Sequence, residues 1–281
     1  MGAHKLEKIG MIAGNGIYPA TFARAARAAG VKTLVVSAFK GETEASLADE
    51  VEVMQWLRVG QLSKMIRFFQ REEVTQAVMV GQIAPKNLFD LRPDLRTVKL
   101  LARLKKKNAE SIFGGIADEL AKEGIELLPA TTFLDDLLPA AGPVCGPKLS
   151  ENAQQDAEFG FFIAKEMSRL DIGQTVVVKN GTVLAVEAFE GTNEAIRRGG
   201  KMGKGKATMV KVSKPKQDLR FDVPVVGEIT IETAVEAGIT TVVVEAGRTL
   251  LLGKEELFVL CEKKGVSLVA VESMDEDDCI I

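Results

Sequence analysis

The chain has 281 residues, of which 46% are hydrophobic and 27% are charged, so it can bury the cores of two ordinary domains. Its net charge of −3 gives the whole molecule no electrostatic reason to bind nucleic acid, and any anion site must come from local clusters of charge. The single histidine, His4, lies near the terminus, which argues against Ser-His-Asp and Cys-His catalysis and against a histidine-rich zinc site.

The cysteines and the apolar runs indicate the compartment. Cys145, Cys261 and Cys279 share no metal-like spacing, which is typical of reduced thiols in the cytoplasm. No apolar run approaches the length of a membrane span, and the N-terminus lacks a secretory signal. We therefore expect a cytoplasmic protein whose chemistry uses Asp, Glu, Lys and water.

In the first half, short β-branched runs alternate with amphipathic stretches. The pattern predicts strands at 8–13, 33–37, 51–56 and 76–81, and helices at 19–29, 62–72, 95–107 and 111–122. Strands that alternate with helices in this way favour a parallel sheet covered by helices. Residues 1–138 are thus predicted to form a Rossmann-like α/β domain.

A stretch rich in proline and glycine, 139–149, is the predicted linker. After it we expect a helix over 150–170 capped by Ser150, and a hairpin that turns at Asn180 and Gly181. Further strands are predicted at 207–212, 240–245 and 266–271, and helices at 229–238 and 254–264. Residues 150–281 therefore read as a mixed α/β domain, with the ligand cleft expected between the two domains.

The first predicted strand is followed by Gly14, Asn15, Gly16, Ile17 and Tyr18. Glycines at this point let backbone N–H groups approach a phosphate at the start of a helix. The dinucleotide fingerprint is incomplete, because a proline replaces its third small residue and no acid ends the second strand, so NAD is disfavoured. The alternatives are a nucleotide or diphosphate site and a plain tight turn.

Two other loops contain candidate substrate-binding residues. Gly81 and Lys86 follow the fourth predicted strand, at the sheet edge where open α/β sheets bind ligands. Thr192 and Asn193 open a predicted helix with Thr192 as its cap, and the N–H groups there suit an anion. The alternatives are a solvated surface loop for the first and capping alone for the second.

A run of lysines and glycines occupies 199–206 and includes Lys201 and Lys206. It does not match a P-loop, because the required spacing fails. We predict a mobile loop that closes over a phosphate or a lipid headgroup, and the alternative is a solvated hairpin tip. The run has no aromatic residue on which bases could stack, which disfavours single-stranded nucleic acid.

The segment 214–227, KPKQDLRFDVPVVG, sets Asp218 and Asp222 on either side of Arg220. In an extended segment these three side chains would point to the same side and face one cleft. Two carboxylates held together favour a metal, and Mg²⁺ binds a few carboxylate oxygens while waters and phosphates complete its shell. The alternative is a surface salt bridge of little energetic value. The adjacent basic run favours the metal site.

Five motifs carry a family resemblance: AGNGIYP, VGQIAPKNLFDLRPD, EAFEGTNEAIRR, KPKQDLRFDVPVVG and VVVEAGRTLLL. In this order they resemble the LpxI-type UDP-2,3-diacylglucosamine pyrophosphatases over nearly the whole chain. The resemblance implies hydrolysis of UDP-2,3-diacylglucosamine to UMP and 2,3-diacylglucosamine 1-phosphate (lipid X) in lipid A biosynthesis. It also implies dependence on Mg²⁺ and two domains that enclose the lipid.

The resemblance further implies a catalytic aspartate in the QDLRFD segment. We assign this role to Asp222 first and Asp218 second, with both as metal ligands. One position departs from the family pattern, because Asn193 stands where an aspartate is usual and would offer only a neutral oxygen.

The leading hypothesis is therefore a Mg²⁺-dependent pyrophosphatase. Arg220 and the lysines from Lys201 to Lys206 would offset the charge of the phosphoryl group, and the loops at Gly14–Tyr18 and Gly81–Lys86 would hold the uridine diphosphate. A lipid-linked substrate leads us to expect peripheral contact of the protein with the inner membrane. For the oligomeric state, a homodimer is the alternative to a monomer. The alternative function is a non-catalytic nucleotide-sugar or lipid-phosphate binding protein.

Overall fold

The computed structural model describes residues 6–83, 93–106 and 108–273. The chain forms two compact units. Unit 1 comprises the chain up to Asp135 together with Asp218–Asp222, and unit 2 comprises Asp136–Gln217 and the chain from Val223 onward. No helix in these described ranges is long and apolar enough to cross a bilayer. The domain boundaries given above, at residues 138 and 150, stay a prediction.

Unit 1 is built on a parallel sheet. Its strands are Lys8–Ala13 (β1), Thr33–Phe39 (β2), Val53–Leu57 (β3), Gln76–Val80 (β4) and Glu126–Leu127 (β5). Its helices are Tyr18–Ala28 (α1), Leu62–Arg71 (α2), Leu95–Arg103 (α3) and Ala109–Lys122 (α4), with a 3₁₀ turn at Ala45–Glu50. A second 3₁₀ turn, Asp135–Leu137, spans the boundary between the units. The described strands follow the order β3-β2-β1-β4-β5 and pair in parallel. The predicted Rossmann-like sheet is thus confirmed.

The burial of the strands explains why the sequence forms them. β1 and β2 are buried along almost their whole length, as are parallel strands covered on both faces. The helices add large side chains to the core, and Phe22 of α1 and Phe69 of α2 are fully buried. The near-continuous apolar runs are therefore the sequence signal of this sheet.

Unit 2 is built on a mixed sheet. Its strands are Gly142–Cys145 (β6), Thr175–Lys179 (β7), Thr182–Val186 (β8), Ala207–Lys211 (β9), Ile239–Glu245 (β11) and Ser267–Val271 (β13), while Val225–Val226 (β10) and Leu250–Leu251 (β12) pair separately. Its helices are Glu151–Arg169 (α5), Thr192–Gly203 (α6), Glu228–Glu236 (α7) and Lys254–Lys264 (α8). The described order is β6-β13-β11-β9-β7-β8. β9, β11 and β13 run parallel, whereas β6–β13, β7–β9 and β7–β8 are antiparallel pairs, which confirms the predicted mixed α/β architecture.

The predicted hairpin is confirmed between β7 and β8. Asn180 and Gly181 form its turn with positive φ angles of 49° and 69°, which a two-residue type I′ turn requires. The buried carboxylate of Asp156 in α5 accepts the N–H of Asn180 at 2.9 Å and the N–H of Gly181 at 2.8 Å. Helix α5 thus fixes the turn through one side chain.

The other predicted helices and strands described above are also found in the structure, with their ends shifted by a few residues. Ser150 caps α5 as predicted, since its side chain accepts the N–H of Ala153 at 3.2 Å. The proline-rich stretch 139–149 holds β6, which pairs with β13. The short strands β5, β10 and β12 were not predicted, because two residues carry no periodicity.

The predicted glycine loop at 199–206 is wrong in its first half. Residues 199–203 form the last turn of α6. A Cβ atom at Gly199 would lie 2.5 Å from Cβ of Val177, so the absence of a side chain lets α6 pack closely on β7. These glycines serve packing rather than mobility.

Gly199→Ala tests this packing. Alanine favours a helix by about 1 kcal/mol over glycine, but the added methyl group would overlap Val177. We expect a net loss of about 1–2 kcal/mol in the free energy of unfolding, measured by urea denaturation. Met202→Ala in the same helix is the control, because its exposed side chain should change stability by no more than about 0.5 kcal/mol. A Gly199→Ala chain as stable as the unsubstituted one would refute the packing role.

Candidate active site

The segment Asp218–Asp222 is a turn, and not the extended segment in which the sequence would place these side chains on one side. The N–H groups of Phe221 and Asp222 both donate to the carbonyl oxygen of Asp218, at 3.2 and 3.0 Å. The second of these bonds joins residues four apart, as in one turn of an α-helix. A helical turn also brings residues four apart to the same side, so Asp218 and Asp222 stay neighbours.

Arg220 forms a two-pronged ion pair with Asp218. Its Nε lies 2.9 Å from Oδ1 and its Nη2 lies 2.6 Å from Oδ2, while the Arg220 N–H donates to Oδ1 at 3.1 Å. These hydrogen bonds from Arg220 hold the pKa of Asp218 below its usual value, against the opposing effect of partial burial. Asp218 is therefore ionised at neutral pH.

Two contacts dock this segment on unit 1. The N–H of Ala130 donates to the carbonyl oxygen of Leu219 at 2.8 Å. The ring of Phe221 lies 5.8 Å from that of Phe113 in α4 and packs against the apolar core of the unit. The turn that carries both candidate acids is thus part of the packed structure of unit 1.

Tyr18, a predicted substrate-binding residue, is buried at the start of α1. Its hydroxyl donates to the carbonyl oxygen of Ala130 at 2.8 Å, and burial raises the pKa of this phenol well above its usual value. The hydroxyl is therefore engaged within the fold, and Tyr18 shapes the site through Ala130.

The loops after β1 and β4 meet at the carboxyl edge of the parallel sheet. The N–H of Gly14 donates to Val80 O at 2.8 Å, and Asn15 and Gln82 exchange backbone hydrogen bonds of 2.7 and 3.2 Å. A Cβ at Gly14 would lie 2.7 Å from Gln82 O, so only glycine allows this approach. The N–H groups of Gly14 and Asn15 are used here rather than in a phosphate cradle.

The other predicted substrate-binding residues of these two loops are Gly81, Gly16 and Lys86. A Cβ at Gly81 would lie 2.8 Å from the carbonyl oxygen of Asn15, so Gly81 permits the same close approach. Gly16 is exposed with φ of 87° directly before α1, at the point where the strand order reverses. Lys86 lies outside the described residues.

Thr192 and Asn193 begin α6, in unit 2. Gly191 rather than Thr192 is the N-cap, so the predicted cap is wrong by one residue. The Thr192 hydroxyl donates to Glu187 Oε1 at 2.9 Å and accepts from Lys211 Nζ at 3.2 Å. Thr192 thus joins an acid and a cation at the carboxyl end of β9.

Lys201 and Lys206 lie at the other end of α6. Nine residues of helix place Lys201 roughly 14 Å along the axis from Thr192. Lys206 precedes β9 at its amino end, and Lys179 donates to the carbonyl oxygens of Gly203 and Gly205 at 2.6 and 2.8 Å. Positive charges at the C-terminus of a helix interact favourably with the helix dipole, so the lysines near the end of α6 can stabilise that helix. The structure does not bring these lysines together with Thr192.

The two family models that match the chain cover most of its length. One is described as the LpxI N-terminal domain and matches residues 8–137, and the other as the LpxI C-terminal domain and matches residues 140–269. The chain belongs to the LpxI family. It is similar to the UDP-2,3-diacylglucosamine pyrophosphatase LpxI of Caulobacter vibrioides, with 29% identity over 96% of this chain and 99% of the relative. The resemblance drawn from the motifs is confirmed.

The Mg²⁺ implied by the LpxI resemblance fits the chemistry of the Asp218–Asp222 turn. The described residues contain no cluster of three His, Cys, Asp or Glu side chains suited to a metal. Mg²⁺ does not need one, since one or two carboxylates suffice when waters and substrate phosphates complete its octahedron. The carboxylate oxygens of Asp222 and Asp218 are hard donors of this kind and would hold the ion, although those of Asp218 are also bonded to Arg220.

Sequence reasoning did not single out Lys165 or Ser213. Lys165 and Ser213 surround the buried carboxylate of Glu245, at the end of β11. The available signal was an acid directly after the apolar run of β11, because a charge that ends a buried strand needs a partner nearby. Its partners come from distant parts of the chain and left no local pattern.

Arg220→Met tests the ion pair with Asp218. Because Arg220 lowers the folded-state pKa of Asp218, the stabilisation is present above the unfolded pKa and is lost as pH falls through the folded one. We expect the variant to be less stable by up to about 1 kcal/mol at about pH 7, since both side chains are partly exposed. The difference in stability should shrink as the pH falls below the usual range of the Asp218 carboxyl. Urea denaturation at several pH values measures it. Arg71→Met, which removes an exposed cation elsewhere in unit 1, is the control, and a difference independent of pH would contradict the assignment.

Proposed function

We propose that the chain hydrolyses the diphosphate of UDP-2,3-diacylglucosamine, giving UMP and 2,3-diacylglucosamine 1-phosphate in lipid A biosynthesis. The observation that carries this proposal is the 29% identity, over nearly the full length of both chains, with a relative named as that pyrophosphatase. The turn that presents Asp218 and Asp222 supports it, because a family aspartate in this segment is implied to be catalytic.

The acids and Arg220 have distinct proposed roles. Asp222 is the first candidate for the catalytic metal ligand and Asp218 the second. When bound there, Mg²⁺ would polarise the diphosphate and lower the pKa of an attacking water. Arg220 keeps Asp218 ionised, and its cationic charge would favour the anionic substrate and the charge that develops on the phosphoryl group.

Each unit, taken by itself, holds candidate substrate-binding residues. In unit 1, Gly14, Asn15, Gly16 and Gly81 form the sheet edge at which nucleotides bind in related α/β folds. In unit 2, Thr192 and Asn193 present the N–H groups of the first turn of α6. Lys201, Lys206 and Lys86 stay predictions that no contact described above supports.

We also propose that the protein works in the cytoplasm with peripheral contact to the inner membrane. The support is chemical, since a substrate with two acyl chains partitions into a bilayer while a UDP group stays in water. A homodimeric state stays a prediction.

UMP release tests the activity. The purified chain is incubated with UDP-2,3-diacylglucosamine in detergent micelles, with Mg²⁺ or with a chelator, and UMP and the lipid product are measured by mass spectrometry. We expect turnover only with Mg²⁺, and a loss of at least about 100-fold in kcat for Asp222→Asn. Asp218→Asn in parallel shows which acid is essential.

The control is Asp49→Asn, an exposed acid of unit 1 outside the candidate site, for which we expect unchanged activity. No UMP from the unsubstituted chain would exclude the hydrolase. Tight substrate binding without turnover, unaffected by chelator, would favour the alternative of a non-catalytic nucleotide-sugar or lipid-phosphate binding protein. Full activity of both Asp222→Asn and Asp218→Asn would refute the proposed roles of these acids.

A further inference from the structure

A buried ion pair lies at the carboxyl end of β11 in unit 2. Glu245 is fully buried, and the side chain of Lys165 in α5 is 12% exposed. Nζ of Lys165 donates to both carboxylate oxygens of Glu245, at 3.1 and 3.2 Å, and Nε of Arg248 lies 3.6 Å from Oε1. Such a pair adds little net stability, because the desolvation of both charges offsets their attraction. Its presence therefore needs another explanation.

The ion pair holds both backbone polar groups of Ser213, shortly after β9. The N–H of Ser213 donates to Oε2 of Glu245 at 2.7 Å, and Nζ of Lys165 donates to the Ser213 carbonyl oxygen at 3.0 Å. The carboxylate of Glu245 accepts from the N–H of Ser213, and the ammonium group of Lys165 donates to its carbonyl oxygen, so both hydrogen bonds are charge-assisted. The backbone at Ser213 is thereby fixed between two opposite charges.

A second set of hydrogen bonds extends from Ser213 to Gln217. Oε1 of Gln217 accepts from Oγ of Ser213 at 2.9 Å and from the N–H of Lys214 at 2.7 Å, and the N–H of Gln217 donates to Lys214 O at 3.1 Å. A backbone N–H can only donate, so the amide oxygen must face Lys214. Nε2 of Gln217 is then buried with no hydrogen-bond partner in the described part of the chain. Proteins retain such a cost mostly where function requires the conformation.

We propose that Glu245, Lys165, Ser213 and Gln217 are positioning residues for Asp218. They hold the turn at 213–217 in one conformation, and Asp218 is the next residue of the chain. Reacting groups must be held within about 0.5 Å of a productive geometry, which a fixed entry to the Asp218–Asp222 turn would help to achieve. This inference rests on the proposed function and adds residues that act through Asp218 rather than on the substrate.

Gln217→Leu and Gln217→Glu test the proposal without removing either Lys165 or Glu245. Leucine removes the oxygen to which Ser213 and Lys214 donate, and we expect kcat for UMP release to fall about 10- to 100-fold with KM nearly unchanged. Glutamate keeps that oxygen and should restore most of kcat. Amide hydrogen exchange, followed by mass spectrometry, should speed up at 213–218 in the leucine variant alone.

The matched control is Asp156→Ala in the same unit. Asp156 is also a buried acid that accepts two backbone N–H groups, but those belong to the hairpin turn at Asn180 and Gly181. We expect faster exchange at the hairpin and unchanged exchange at 213–218, with kcat retained. An equal fall of kcat in Asp156→Ala and Gln217→Leu would reduce the effect to general destabilisation and overturn the proposal.

Two further outcomes are decisive. Unchanged kcat or unchanged exchange at 213–218 in Gln217→Leu would overturn the positioning role. Absence of UMP release by the unsubstituted chain would overturn the proposed function instead, and the two failures differ because the exchange measurement does not depend on turnover.

Discussion

The backbone of Ala130 is the constraint on which the candidate site of unit 1 depends. Its N–H donates to the carbonyl oxygen of Leu219 and its own carbonyl oxygen accepts the hydroxyl of Tyr18, each at 2.8 Å. Each bond contributes about 1 kcal/mol, but loss of the acceptor would leave a buried tyrosine hydroxyl unpaired at a larger cost. The backbone of Ala130 therefore contacts both the start of α1 and the turn that carries Asp218 and Asp222. The position of the candidate acids follows from the fold of unit 1 rather than from their own local sequence.

The Arg220–Asp218 ion pair of unit 1 and the Lys165–Glu245 ion pair of unit 2 serve different physical purposes. Arg220 and Asp218 are partly exposed, so water screens their attraction and the pair contributes little to stability, yet it keeps the carboxylate ionised. Lys165 and Glu245 are buried, where a broken pair would be far costlier than an exposed one. The exposed pair favours the ionised form of Asp218, and the buried pair holds the backbone at Ser213.

The sequence predicted most of the fold because its signals are local. The strands of the parallel sheet read as apolar runs, and the turn at Asn180 and Gly181 is specified by two residues. The meeting of the loops after β1 and β4 also followed from the parallel sheet, since carboxyl ends of parallel strands share an edge. The turn at Asp218–Asp222 could not be predicted from the sequence, because its contacts with Ala130 and Phe113 join residues about 90 to 110 positions apart. Local pattern carries no information on contacts of that range.

The glycines show why composition alone misplaced part of the candidate site. A run of glycine and lysine fits both a mobile phosphate loop and a close-packed helix end, and only the opposing surface decides between them. Gly199 faces Val177, and Gly14 faces the backbone of the β4 loop, so in both units glycine marks a close approach. Among the predicted substrate-binding segments, the first turns of α1 and α6 are helix starts, and a helix cannot pair its first four N–H groups internally. Anion binding at these two turns and at the basic stretch 199–206 stays a prediction, and the close approach of glycine to an opposing surface is what the structure adds.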